Sequence, residues 1–213
     1  MSRAQPRFSS LHGLYIILDP QASQGRSLAN LLTEAASAGA RLFQYRDKHA
    51  SAAAAYHQAL ALRQAAADAG ALLIVNDRCD LALAVEADGV HLGQEDLPLA
   101  YARAIMGPDK IIGVSTHDLA QIQEADRGGA DYAGFGPIFT TDTKLDHEPV
   151  VGVEGLRTIR PLVQLPVFAI GGITVEKVAG LIEAGADGVA VISAIARTDD
   201  VAGTVRDFLA RLA

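Results

Sequence analysis

Short runs of apolar residues recur along the chain, each followed by a longer segment whose apolar positions return every three or four residues. The runs are LYIILD (14–19), RLFQYR (41–46), LLIVND (72–77), GVHLG (89–93), IIGVST (111–116), YAGFGPI (132–138), PVFAIGG (166–172) and GVAVIS (188–193). Near-continuous apolar runs of this length are expected of parallel strands covered on both faces. The intervening segments, such as SLANLLTEAASAG and VEKVAGLIEAG, carry the spacing of amphipathic helices. At the joints, AGA at 38–40, 69–71 and 184–186 and GGA at 128–130 put a glycine between a helix and the next run. Glycine there can take the left-handed conformation that ends a helix without steric penalty. Eight such rounds in 213 residues predict an α/β chain folded as a single (β/α)₈ (TIM) barrel. An open doubly wound sheet is the competing arrangement, and the number of units fits it less well. Residues 1–12 read as a loose N-terminal tail and 13–213 as the barrel domain, with no linker between them.

Composition narrows the class further. Half of the residues are hydrophobic and the formal charge is −7, so anion binding has to come from a local cluster of cations. No nucleic-acid or membrane partner is expected. The single cysteine, Cys79, excludes an internal disulfide and fits a reducing compartment. The opening MSRAQPRFSSLHG lacks the apolar core of a signal peptide, and the longest apolar runs are too short to span a bilayer, so a cytoplasmic protein is expected.

Chemistry in such barrels sits where the strands end. Run 2 ends in Gln44, Tyr45, Arg46, Asp47 and Lys48, and alternation sends Gln44, Arg46 and Lys48 to one side. Run 3 ends in Asn76 and Asp77, and the loop after run 4 carries Gln94, Glu95 and Asp96. Run 5 closes with Ser115, Thr116 and His117, and run 6 leads to Thr141, Thr143 and Lys144. Run 7 finishes in Gly171–Gly172 and run 8 in Ile192–Ser193. Glycines after the seventh strand and a serine after the eighth suit a phosphate site, although a tight turn alone would also use the glycines. Asp77 and Asp96 could be surface ion-pair partners. They could equally be the one or two carboxylates that Mg²⁺ takes from a protein while substrate phosphates complete its shell, with Arg46, Lys48 and Lys144 meeting the remaining charge. His117 is open to a base role or a hydrogen-bonded structural one, His91 to a packing role, and Cys79 to a helix face turned to the core. A Schiff base at Lys144 would need a depressed pKa, which an anionic ligand beside it would oppose.

These segments, in order, resemble the thiamine phosphate synthase family: QYRDK, VND, DGVHLGQED, IGVSTH, GADYAGFGPIFTTDTK, AIGGIT and GADGVAVISAI. The resemblance runs from LYIILD to the last helix. It implies a transferase of thiamine biosynthesis that joins hydroxymethylpyrimidine diphosphate to thiazole phosphate, or its carboxylate, releasing pyrophosphate. By that resemblance Gln44, Tyr45, Arg46, Asp47, Lys48, Asn76, Ser115 and Lys144 would hold the pyrimidine diphosphate. Arg46, Lys48 and Lys144 would assist departure of pyrophosphate. Thr141, Asp142, Thr143, Gly172, Ile192 and Ser193 would take the thiazole phosphate, and Asp77 and Asp96 one Mg²⁺. The expected partners are these two small molecules, and a homo-oligomer is left open. Thr140 stands where the family commonly has proline, and Leu18 where it has threonine before Asp19. A thiazole tautomerase on the same barrel, with its histidine at the position of His117, is the nearest rival. A non-catalytic phosphate-ligand binding protein is a third reading.

Overall fold

A computed structural model describes residues 11–141 and 149–213. Eight parallel strands close in chain order into one barrel: β1 (Gly13–Leu18), β2 (Leu42–Tyr45), β3 (Leu72–Asn76), β4 (Gly89–Leu92), β5 (Ile111–Thr116), β6 (Tyr132–Phe135), β7 (Val167–Ile170) and β8 (Gly188–Val191). Every neighbouring pair is parallel, and β8 returns to β1 through Gly13↔Gly188. The helices between them include α1 (Leu28–Ser37), α2 (Ala52–Asp68), α3 (Cys79–Ala84), α4 (Leu99–Met106), α5 (Leu119–Gly128), α6 (Gly152–Ile159) and α7 (Val178–Glu183). A short α8 (Ser193–Ala196) and the closing α9 (Val201–Leu212) follow β8. Ser27, Ser51 and Asp118 cap α1, α2 and α5, each accepting from a backbone N–H three residues on. Gly129 ends α5 in the left-handed conformation (φ 80°), as the joint pattern predicts.

The period of two along each strand separates two apolar layers. Leu14, Ile16, Leu18, Phe43, Tyr45, Leu73 and Val75 pack outward against the helices. Tyr15, Ile17, Leu42, Ile74, Ile111, Tyr132 and Phe168 fill the barrel itself. Tyr15, Tyr132 and Phe168 meet edge to face with ring centroids 5.4–5.7 Å apart, which favours their quadrupoles. Glycines make room for them. A Cβ on Gly113 would lie 2.1 Å from Tyr132 Cζ. Gly113→Ala is therefore expected to destabilise the fold by at least about 1–3 kcal/mol, read as a lower urea midpoint at an unchanged slope.

Two expectations are revised. Leu11, placed in the loose tail by its polar neighbours, is only 3% exposed and packs into the inner cluster. The sixth strand stops at Phe135, three residues earlier than its apolar run suggests. The chain nonetheless stays beside β7, where Ile138 N–H donates to Ile170 O at 2.8 Å. The other runs, except the fifth, which matches β5 at both ends, also overshoot their strands by a residue or two at the C-terminal end, so the polar residues expected at strand ends belong mostly to the loops of the barrel mouth. Among the described residues no helix is long and apolar enough to cross a membrane.

Candidate active site

The mouth holds a cavity of about 390 Å³, within the usual size range of small-molecule sites. Lys48, Asp96 and Ser115 line one side, His117 and Thr141 another, and Gly171, Gly172, Ile192 and Ser193 the side beneath β7 and β8.

The β2 side is charged. Inward alternation from Tyr15 and Ile17 carries to Asp19, and from Leu42 and Gln44 to Arg46. Arg46 Nη1 donates to Asp19 Oδ2 at 2.5 Å, and Asp19 Oδ1 also accepts the backbone N–H of Gln21 at 2.9 Å. Asp19 is 4% exposed, so this is a positioned guanidinium rather than a floating surface charge. Asp19 carried no assignment in the sequence reading. The signal that could have found it is its parity with Tyr15 and Ile17, two strand positions that face inward. Asp47 turns its carboxylate back onto the backbone N–H groups of His49 and Ala50, forming the loop that presents Lys48. Tyr45 lies in the outer layer, its phenol pushed up to about 12 by burial and then by Asp47.

Lys48 reaches across to Asp77, where its Nζ donates to Oδ2. Asp77 takes the left-handed conformation (φ 62°), which aspartate and asparagine tolerate better than other non-glycine residues. Its backbone N–H donates to His91 O at 2.7 Å, tying the turn to β4. The Asp96 carboxyl stands close enough to Asp77 to act on it electrostatically. Burial and this second carboxyl raise the Asp77 pKa, against the lowering effect of Lys48. Asp96 Oδ2 is further fixed by the Gly93 N–H at 2.7 Å. Two neighbouring carboxyl groups, Asp96 in the cavity wall and Asp77 beside it, suit a divalent cation, and Mg²⁺ typically takes one or two from a protein. Among the described residues no group of three or more metal-binding side chains exists.

The opposite side is built from backbone. Gly171 (φ 102°) and Gly172 (φ 61°) bring the chain so close to the β6 loop that a Cβ on Gly172 would sit 2.4 Å from Thr140 O. Lys177 holds this contact, donating to Gly172 O at 2.6 Å and lying 4.1 Å above the Phe139 ring. Ser193 opens α8 beside Ile192. Gln94 donates to Ser115 O at 2.6 Å. His117 Nδ1 lies 2.6 Å from Gly136 O, and since a carbonyl only accepts, Nδ1 carries the hydrogen.

Several residues singled out from sequence thus line the cavity: Lys48, Asp96 and Ser115 on one side, and Gly172, Ile192 and Ser193 on the other, with Thr141 at the rim. Asp77 is joined to that wall through Lys48, and Arg46 is held by Asp19 at the end of the neighbouring β1 strand. Asn76 follows Ile74 on the inward face of β3. Gln44 lies deeper, 2% exposed, donating to Tyr15. Cys79 faces the core from α3. Asp142, Thr143 and Lys144 lie outside the described residues.

This geometry can be set beside known proteins. A family model described as thiamine monophosphate synthase matches residues 14–195. The chain belongs to that family. It is 49% identical over 197 residues to a thiamine-phosphate synthase of Chloroflexus aurantiacus, covering 92% of this chain and 91% of the relative. A thiamine-phosphate synthase of Moorella thermoacetica is 47% identical over 193 residues, covering 91% and 92%. Among solved structures, a thiamine phosphate pyrophosphorylase from Pyrococcus furiosus superposes with a TM-score of 0.84 at 39% identity, covering 94% of this chain and 95% of that one.

Proposed function

We propose that this chain is a thiamine-phosphate synthase, a transferase that couples 4-amino-2-methyl-5-hydroxymethylpyrimidine diphosphate to 4-methyl-5-(2-phosphoethyl)thiazole, or its carboxylate, with release of pyrophosphate. The observation that carries this reading is the division of one cavity mouth into two unlike anion sites. Lys48 and Asp96 give the wall a charged side suited to a diphosphate, with Asp77 bound to Lys48 and Arg46 following on the same β2 end, and Gly171, Gly172 and Ser193 give a neutral side suited to a monoester.

The roles follow from this placement. Arg46, held by Asp19, and Lys48 bind the diphosphate and stabilise the charge that grows on it as its bond to the pyrimidine CH₂ breaks. The aminopyrimidine donates electrons into that carbon, so the displacement is dissociative and the thiazole nitrogen attacks the cation. No protein nucleophile is needed. Asp77 and Asp96 would hold one Mg²⁺, which would supply further neutralisation of the departing pyrophosphate. Gln44, Asn76 and Ser115 orient the pyrimidine. Thr141, Gly172, Ile192 and Ser193 seat the thiazole phosphate so that its nitrogen faces the reacting carbon. Asp142, Thr143 and Lys144 are assigned to the same contacts by resemblance alone. The site of action on this reading is the cytoplasm, with the two small molecules as partners.

The rival isomerisation would use His117 as its base. With its Nδ1 hydrogen spent on Gly136, the basic nitrogen of neutral His117 is Nε2. His117→Ala is expected to keep coupling within about tenfold of wild type, because a transferase asks no proton transfer of it. The deciding experiment supplies both substrates with Mg²⁺ and follows pyrophosphate release alongside the thiazole product. Pyrophosphate and thiamine phosphate in equal amounts support the transferase. Isomerised thiazole without pyrophosphate would replace it with the tautomerase.

A further inference from the structure

The inner layer of the barrel contains a polar chain whose middle members, Tyr15, Tyr132 and His91, the roles above leave unused. It starts at Gln44 on β2, whose Nε2 donates to Tyr15 Oη at 2.6 Å. Tyr15 Oη lies 2.7 Å from Tyr132 Oη, and Tyr132 Oη lies 2.9 Å from His91 Nδ1. His91 Nε2 then lies 2.9 Å from Ser115 Oγ, at the wall of the cavity. Tyr15, Tyr132, Gln44 and His91 are all buried. Five strands contribute one member each, and the chain ends on Ser115, which the transferase reading places against the substrate.

Such a chain has a direction. An amide nitrogen only donates, so Tyr15 accepts from Gln44 and must pass its own single hydrogen to Tyr132. Tyr132 in turn passes its hydrogen to His91 Nδ1. That places the imidazole hydrogen on Nε2, which donates to Ser115 Oγ. Burial raises both phenol pKa values, so each phenol keeps the one hydrogen this direction requires. The packing holds the members in line. The His91 ring stacks on Tyr132 at 5.4 Å, and Gly113 leaves the space that Tyr132 fills.

We propose that Tyr15, Tyr132 and His91 are positioning residues that act through Ser115, forcing its hydroxyl to donate into the cavity and so to select a ring-nitrogen acceptor on the pyrimidine. This rests on the transferase reading. A serine alone presents either a donor or an acceptor. One whose oxygen is already engaged by an N–H presents a donor, without the cost of reorienting when substrate arrives. Breaking the chain in its middle frees His91 to change tautomer and returns that choice to Ser115.

Two measurements test this. In ¹⁵N-labelled free protein, the His91 ring nitrogens, assigned by comparison with His91→Gln, should show the hydrogen on Nε2 and a bare Nδ1. A hydrogen on Nδ1 would overturn the proposed direction. In kinetics, Tyr132→Phe should raise the KM for the pyrimidine diphosphate roughly tenfold, the scale of one buried hydrogen bond left unmade. The KM for the thiazole phosphate should stay unchanged. Adding Tyr132→Phe to Ser115→Ala should then change the pyrimidine KM little, because the effect passes through Ser115. Additive losses, or a fall in melting temperature with both KM values unchanged, would make the chain a structural feature only. Tyr15→Phe interrupts the same chain one step earlier and serves if Tyr132→Phe does not fold. A wild type that failed to couple would remove the transferase reading itself, while the tautomer would still report the direction of the chain.

Discussion

Asp77→Asn is expected to lower kcat/KM by about two to three orders of magnitude, the loss that accompanies removal of one preorganised electrostatic group. The free protein should remain as stable as wild type or become slightly more so. Both outcomes come from one geometry. Asp96 lines the cavity with Asp77 beside it, and burial together with this second carboxyl raises the Asp77 pKa. An asparagine there removes one of two like charges while keeping a side chain suited to φ 62°. Alanine would mix this effect with backbone strain. Lys48 loses its partner, but its side chain is 47% exposed, and such pairs contribute little. Mg²⁺ should raise the melting temperature of wild type and leave Asp77→Asn unmoved, since only a ligand that binds the folded state stabilises it. A variant with full activity and an unchanged response to Mg²⁺ would remove the metal assignment.

The same pair fixes the sign of a pH dependence. A carboxyl whose pKa is raised on folding holds its proton more tightly in the native state. Its contribution to stability is fully present below the unfolded value of 3.8 and is lost as pH rises through the higher native value. The metal-free wild type should therefore lose stability over that interval relative to Asp77→Asn. On the proposed metal assignment, saturating Mg²⁺ should favour the ionised pair and close the gap between them above it. Thermal melts of both proteins across the acidic range, with and without the ion, read this directly.

Gly172→Ala should carry the second large effect. The new Cβ would sit 2.4 Å from Thr140 O and 3.0 Å from Phe139 Cβ, and the residue would be held at φ 61°. The obstruction is largely backbone, so the β6 and β7 loops must part. Displacement by about an ångström at a substrate-positioning loop can cost roughly 10²-fold, and a loss of that size is expected in kcat/KM for the thiazole phosphate. Affinity for the pyrimidine diphosphate, bound on the opposite side, should be retained. Gly180→Ala is the control. A Cβ there meets nothing within 4 Å, and the position lies inside α7, so stability should hold or rise by up to about 1 kcal/mol. Equal losses for both substrates in Gly172→Ala would show general damage rather than a thiazole-side site.

The barrel was legible because its two periods are strong. Apolar alternation within β1 separates Tyr15 and Ile17 from Leu14, Ile16 and Leu18, and the glycine joints mark each return to the sheet. The same alternation separates Gln44, which enters the barrel, from Tyr45, which packs beneath the helices. Leu11 was missed because one apolar residue in a polar segment has no period to reveal it. Asp19 was missed for a different reason: a carboxylate after an apolar run looks like the start of a loop, and only its pairing with Arg46 shows that it faces inward. The polar chain through Tyr15 and Tyr132 is hidden more deeply. Tyrosine counts as apolar in a strand pattern, and a hydrogen bond between residues 117 positions apart leaves no local trace. For Asp77 and Asp96 the residues stand in the sequence, but the placing of Asp77 beside Lys48 depends on the left-handed turn that Asp77 makes.

The most direct test mixes the purified protein with hydroxymethylpyrimidine diphosphate, thiazole phosphate carboxylate and Mg²⁺, and follows the products by mass spectrometry beside an EDTA control and Asp77→Asn. The account predicts thiamine phosphate, pyrophosphate and CO₂ in equal amounts from wild type with Mg²⁺, and almost none from the control or the variant. Coupling that proceeds equally in EDTA, or a thiazole that is isomerised and never joined, would contradict it.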